Sequence, residues 1–237
     1  MALYLPKKVV LNWYQYDVSF STVLIDAFVE GTERQALKSI VNYEKEKRRE
    51  IVEGQLVYVH EGLDSETWDL AGIFEEYFPS LQRRSALVTL CSYFEHELDQ
   101  LCSLYQNEKS FRLALSDVHG TGLDRATTYL EKVAGLDLHK SSPVWNNIKD
   151  IQTIRNCIVH RGGRLLDHQG NPYKDTANAI KRLKHLSGDD EIVVEGGFLS
   201  YVVGTYKTYF KLIGESINGS EHVYPERPSS KERAYKP

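Results

Sequence analysis

The sequence predicts an all-α fold. Apolar residues recur at spacings of three and four in one window after another, capping and stop residues bracket those windows, and neither a strand-rich region nor an internal repeat interrupts them.

Taken in order, Val18, Val23, Leu24, Ala27 and Phe28 predict a first helix over 17–30, closed by Gly31. Thr32 with Gln35 has the spacing of a capping box for a second helix through Leu37, Ile40 and Val41 towards Ile51, and its mixed-charge run over 44–50 reads as a solvent face. Residues 55–60 fit a short strand or a helix end equally. Trp68, Leu70, Ile73, Phe74 and Phe78 predict a helix interrupted by Pro79. The pattern Leu87, Cys91, Phe94, Leu98, Leu101, Tyr105 then marks a long central helix over 80–106. Leu113, Leu115 and Val118 continue helically to a turn at 117–122, where Gly120 and Gly122 lack the third glycine of a dinucleotide-binding loop. Asp124 caps a short helix ending at Gly135, and Ser141, Ser142 and Pro143 open the next, whose stripe is Trp145, Ile148, Ile151, Ile154 and Ile158. Gly162 and Gly163 stop it. A polar loop over 167–175 precedes a basic helix through Ala177, Ile180, Leu183 and Leu186, halted by Gly188, and then a brief extended piece at 192–194. Phe198, Val202, Tyr206, Phe210, Ile213 and Ile217 form the last helix, and the proline-containing residues 219–237 read as a disordered tail. This divides the chain into an N-terminal helical extension, 1–62, and a helical domain, 63–218.

With 237 residues, 41% hydrophobic and 26% charged, the chain has the usage of a folded globular protein. The apolar run ending at Trp13 is too short for a signal peptide or a membrane span, and Cys91, Cys102 and Cys157 lie in apolar helical patterns without CxxC spacing. A cytoplasmic protein with reduced core thiols and no membrane contact is expected. Glu95-His96-Glu97-Leu98-Asp99 lacks the order and partners of a metal site, so no metal or cofactor is expected.

Function concentrates in Arg155-Asn156-Cys157-Ile158-Val159-His160, where three polar side chains interrupt an apolar helical run. On an ideal helix they share an arc of about 140° facing away from the isoleucine stripe. Asn156 and His160, four apart, can touch; Arg155 and His160, five apart, meet only around a ligand, a bent helix end or a second subunit. The net charge of -4 excludes a wholly basic surface, yet residues 155–185 carry seven positive side chains against two negative, a patch suited to phosphate. Helix-terminal Arg and His also commonly satisfy the last carbonyls, and that structural reading stays open.

An Arg, a polar residue, three further residues and a His near a helix end resembles the signature of the HEPN superfamily. The resemblance implies a HEPN-like up-and-down helical bundle over 63–218 that forms a homodimer, so that two motif copies face one cleft and cut RNA without a metal. Carried onto this chain, it implies catalytic Arg155, Asn156 and His160; neighbouring Arg161, Arg164 and Lys181 would bind RNA. Glu95 or Asp99 on the preceding long helix would be an orienting acid. It also implies a toxin or anti-phage defence effector with an antitoxin or defence-system partner protein. A toxin branch continues the motif as His-x-Tyr; here that position is Gly162, so its control mechanism is not carried over. The alternatives are a non-catalytic HEPN-like dimer binding RNA, a nucleotide or a protein partner, and a plain interaction scaffold.

Overall fold

The computed structural model describes residues 10–221. Helix dominates, at 67% of the described residues, with two small sheets of two and three strands. The fold is therefore largely α; of its short strands, 55–60 and the extended piece near 192–194 are open in the sequence, while Arg48–Val52 is expected there to be helical. Among the described residues the elements are α1 (Ser19–Glu46), β1 (Arg48–Val52), β2 (Gln55–His60), β3 (Leu63–Asp64), α2 (Phe78–Lys109), α3 (Gly122–Lys132), α4 (Pro143–Arg161), α5 (Lys174–Arg182), β4 (Leu186–Ser187), β5 (Val193–Val194) and α6 (Phe198–Glu221). No described helix is long and apolar enough to cross a membrane.

Two compact units are present. One gathers the described residues up to Val18 with Glu97–His139 and the chain from Phe210 on; the other gathers Ser19–His96 and Lys140–Tyr209. The described part of the expected extension, 10–62, is thus shared between them. Residues 219–221 of the expected tail complete α6, and 222–237 lie outside the described residues.

Several expected breaks are absent. Gly31 does not close a helix; α1 runs through it, because an exposed glycine in helical conformation costs only about 1 kcal/mol against alanine. Thr32 is no cap either, since its hydroxyl donates to the Phe28 carbonyl one turn back at 2.9 Å. Pro79 lies within the first turn of α2, directly after a π-helical turn at Gly72–Tyr77. Proline has no N–H to give and crowds the carbonyl four residues back, and a widened turn relieves both problems.

Other expected helices are shorter. The charge run extends α1 only to Glu46; Arg48–Val52 pairs antiparallel with Gln55–His60, Val52 opposite Gln55. The two connecting residues, Glu53 and Gly54, both have positive φ (49° and 84°), as a two-residue hairpin turn requires. Leu113 to Val118 keeps only a 3-10 turn at Leu115–Asp117, since α2 ends at Lys109 and Asp117 accepts the Ala114 N–H at 2.8 Å. Thr121 rather than Asp124 occupies the cap position of α3.

In the unit that holds α4, the core is built from α2, α4 and α6. Phe94 stacks on Tyr206 with ring centroids 4.2 Å apart, Trp145 lies 5.3 Å from Tyr209, and Ile148, Ile151 and Ile154 are buried. A second cluster, Tyr43, Leu70 and Phe74 with His60 edge-on to both rings, ties β2 to the end of α1. In the other unit Trp13 meets Phe210 edge-on at 5.7 Å, and Leu98, Leu101, Tyr129, Leu130 and Ile213 are buried.

Burial pushes the thiols of Cys91 and Cys102 up to about 12. The folded chain thus holds both neutral. Their contribution to stability is complete below the ordinary thiol value of about 8.5 and is lost as pH rises from there towards about 12. At pH 8 iodoacetamide should leave Cys91 and Cys102 unmodified in the folded protein and label both in urea, read by mass spectrometry of peptides. Rapid native labelling of either would contradict their burial.

Candidate functional site

α4 is positioned by its ends as much as by its isoleucines. Ser142 is the N-cap, its hydroxyl accepting the Trp145 N–H at 3.3 Å, and Pro143 occupies the first turn. At the other end Gly162 (φ 64°) and Gly163 (φ 85°) turn the chain left-handed, and the Gly163 N–H returns to the Cys157 carbonyl at 3.1 Å. The chain then runs beside residues 190–192. The Leu165 N–H donates to the Asp190 carbonyl at 2.8 Å, and the Ile192 N–H to the Gly163 carbonyl at 2.9 Å.

Arg84 of α2 holds this turn. Its buried guanidinium donates to the Ile192 carbonyl and to Glu191 Oε2, the latter at 3.1 Å. A Cβ on Gly163 would meet Arg84 Nη1 at 2.9 Å and Ile192 at 3.2 Å, so only glycine fits. Next to it, the Nε–H of Arg83 is shared between both carboxylate oxygens of Glu33 of α1, and its Nη1 reaches the Val194 carbonyl, while Ser80 accepts the Val194 N–H at 2.9 Å. The sequence reading missed all three. The signal was there: continuing the Leu87–Cys91–Phe94 seam back by three, four and seven residues lands on Arg84, Arg83 and Ser80, polar side chains at core positions.

The expected site residues fall into two groups. Arg155, half-buried, donates from Nη1 to Asn156 Oδ1 at 3.0 Å, and its buried Nε has no hydrogen-bond partner. Asn156 therefore engages Arg155, and no hydrogen bond joins it to His160. Glu95 accepts from Gln152 Nε2 at 3.0 Å, one turn before Arg155. Arg155 and Glu95 act in opposite senses on one buried pair, Cys91 and Tyr206, whose Sγ and hydroxyl lie 3.3 Å apart. Burial raises Tyr206 well above its ordinary value, with Glu95 adding to the shift and Arg155 opposing it. Glu95 is thus fixed by Gln152, on the same flank of α2, α4 and α6 as Arg155.

His160 belongs to the second group. It lies exposed in the last turn of α4, its ring free of hydrogen bonds, at a cleft of about 600 Å³. Arg161, Arg164, His168, Tyr173 and Glu191 also line this cleft, together with Asp167 and Asp190. Arg161, expected to bind RNA, lines the cleft with its guanidinium engaged by neighbouring side chains. Its guanidinium lies 4.0 Å over the Tyr173 ring, donates to Thr176 Oγ1 at 3.1 Å and pairs with Asp175 at 3.3 Å. Arg182 is likewise taken, by both oxygens of the buried Asp150, a residue just outside the window in which the charges were counted. Arg164 and Lys181 are exposed, Arg164 in the cleft and Lys181 outside its lining.

His168 was also missed. The loop that carries it is shaped by Asp167, whose carboxylate accepts the Asn171 and Gln169 N–H groups at 2.9 and 2.8 Å; these bonds hold its carboxyl below the usual range. No sequence spacing relates His168 to His160; the fold of the loop brings both to one cleft. Among the described residues no group of three His, Cys, Asp or Glu is placed to hold a metal ion.

Comparison with protein-family models, with curated proteins and with solved structures gave no match to this chain.

The two glycines at the end of α4 should respond unequally to alanine. Gly162→Ala adds a Cβ in open space and should cost about 1 kcal/mol, the left-handed backbone alone. Gly163→Ala adds the collision with Arg84 and Ile192 and should cost roughly 2–4 kcal/mol. Equilibrium urea unfolding measures both, and equal costs would remove Arg84 as the clamp on this turn.

Proposed function

We propose that this protein is a metal-independent endoribonuclease of HEPN type that acts in the cytoplasm. The observation that carries the reading is the cleft in which His160, unbonded, stands with His168 and Arg164. Three buried thiols without a disulfide suit a reducing compartment.

Cleavage of RNA by its own 2'-hydroxyl needs a base, an acid and a fixed cation. One imidazole takes the 2'-hydroxyl proton as the 2'-oxygen bonds to phosphorus. The P–O5' bond breaks, and the other imidazole protonates the departing 5'-oxygen, leaving a 2',3'-cyclic phosphate and a 5'-hydroxyl. A guanidinium stabilises the extra negative charge on the phosphorane. The resemblance draws the two imidazoles from two motif copies in a dimer. In this chain one cleft already holds two, and Arg164 is the exposed cation beside them. Arg155 and Asn156 keep the roles that the resemblance implies, phosphate binding and orientation. The Nε of Arg155 is a buried donor without a hydrogen-bond partner, as is that of Arg84, and it leaves one donor of the guanidinium for a phosphate oxygen. A toxin or anti-phage defence role, with an antitoxin or defence-system partner, rests on the resemblance alone.

A second reading is a non-catalytic HEPN-like module binding RNA, a nucleotide or a protein partner; the carboxylates of Asp167, Asp190 and Glu191 in the same cleft, which repel a polyanion, favour the protein partner.

One assay separates the two. Purified protein in EDTA should cut RNA to 2',3'-cyclic phosphate ends. His160→Ala, His168→Ala or Arg155→Ala should each slow cleavage by about 100-fold or more with the urea midpoint unchanged. Full activity in His160→Ala ends the nuclease reading. Salt-sensitive binding without cleavage, weakened by Arg164→Ala or Lys181→Ala, establishes the binding module instead.

A further inference from the structure

α1 turns its apolar side outward. Only Thr22, Val29, Ala36 and Tyr43 of its 28 residues are buried, one every seventh position, a narrow seam against the rest of its unit. The opposite face over its first three turns is Phe20, Val23, Leu24, Ala27, Phe28 and Gly31, all exposed, at the spacing of a helix made to bury that side. Phe20 is 66%, Val23 63% and Leu24 73% exposed. Together the six present roughly 500 Å² of apolar surface, near the upper end of what a monomer leaves bare and more than half of one partner's share of a standard interface.

We propose that this face is the contact between two copies of the chain, packed antiparallel along α1 about a two-fold axis between Ile25 and Asp26. The evidence is self-complementarity. The spacing of the six residues is the same read in either direction, so such an axis sets Phe20 against Gly31, Val23 against Phe28 and Leu24 against Ala27, large against small at two of the three steps. A hole waits at the right place. A groove of about 630 Å³ between α1 and α2 is lined by Ala27, Phe28, Gly31, Ser85, Ala86 and neighbouring polar groups, and a Cβ on Gly31 would meet nothing within 4 Å. The partner copy's Phe20, opposite Gly31, enters that groove as a knob. The charge nearest the axis is already neutralised, because Asp26 pairs with Lys207 of α6, so pairing buries no lone carboxylate there.

This interface does not depend on the nuclease reading, since none of the six residues lies on α4 or lines the His160 cleft. It also differs from the dimer that the HEPN resemblance implies, in which the motif copies themselves face each other.

The test is the mass of the full chain in solution, by size exclusion with light scattering at micromolar concentration. Wild type should show twice the chain mass. Phe20→Asp and Leu24→Glu change exposed side chains only, and should give single chains with unchanged helical circular dichroism. Gly31→Leu fills the hole with a better helix former, so it should keep the fold and weaken association at least about tenfold. A single-chain mass for wild type overturns the proposal, and so does a dimer indifferent to Leu24→Glu and Gly31→Leu. RNA cleavage is scored separately, so loss of one result leaves the other standing.

Discussion

The guanidinium of Arg84 is the constraint on which the candidate site depends. It is buried, and a buried cation is tolerated only where acceptors are fixed around it. The Ile192 carbonyl and the Glu191 carboxylate supply them, and the space it occupies leaves room at residue 163 for glycine alone. Through this one side chain α2 sets where α4 stops, how the chain turns after Arg161, and where the strand before α6 runs. That turn carries Arg164 and Asp167 to the cleft beside His160. Arg83 repeats the arrangement one residue earlier, joining α1 through Glu33 to the Val194 carbonyl.

Charge in this region is more nearly spent than a count suggests. Asp175 with Tyr173 holds Arg161, and Asp150 holds Arg182, which leaves Arg164, Lys174, Lys181 and Lys184 as the exposed cations outside an ion pair in the segment after α4. Carboxylates in the cleft offset part of that. A phosphate-bearing ligand there would be recognised by a few placed donors and by two imidazoles, rather than by a broad positive field. Arg155 stands apart, half-buried beside the Cys91–Tyr206 pair, its charge opposing that of Glu95.

α1 poses a different balance. Its seam of Thr22, Val29, Ala36 and Tyr43 anchors it to its own unit, helped by the Arg83–Glu33 and Lys207–Asp26 pairs and by the Ser21–Tyr93 hydroxyl contact at 3.0 Å. The larger apolar side chains point the other way. A helix with its bulkier face outward is stable in isolation only at the cost of water ordered around that face, which is the thermodynamic reason for expecting a partner.

Local chemistry was legible in the sequence wherever a single helix decides it. Ser142, Pro143 and the paired glycines delimit α4 because caps and left-handed turns depend on residues within one turn of each other. The isoleucine period marked its buried side for the same reason. The hairpin of β1 and β2 was not legible, since Arg48–Val52 has no strand signal of its own and becomes a strand only by pairing across Glu53 and Gly54. Arg83 and Arg84 stand at core positions of the α2 seam, but the acceptors that make their burial tolerable are carbonyls more than a hundred residues away. His168 joins His160 only through the fold of a loop, and the outward face of α1 has the same spacing as an inward one. The sequence by itself determined where α4 begins and ends and which stripes of α2, α4 and α6 are apolar. Tertiary structure alone decided which side of each helix is covered, which charges remain free and which side chains share a cleft, because each of these depends on partners that sequence separation conceals.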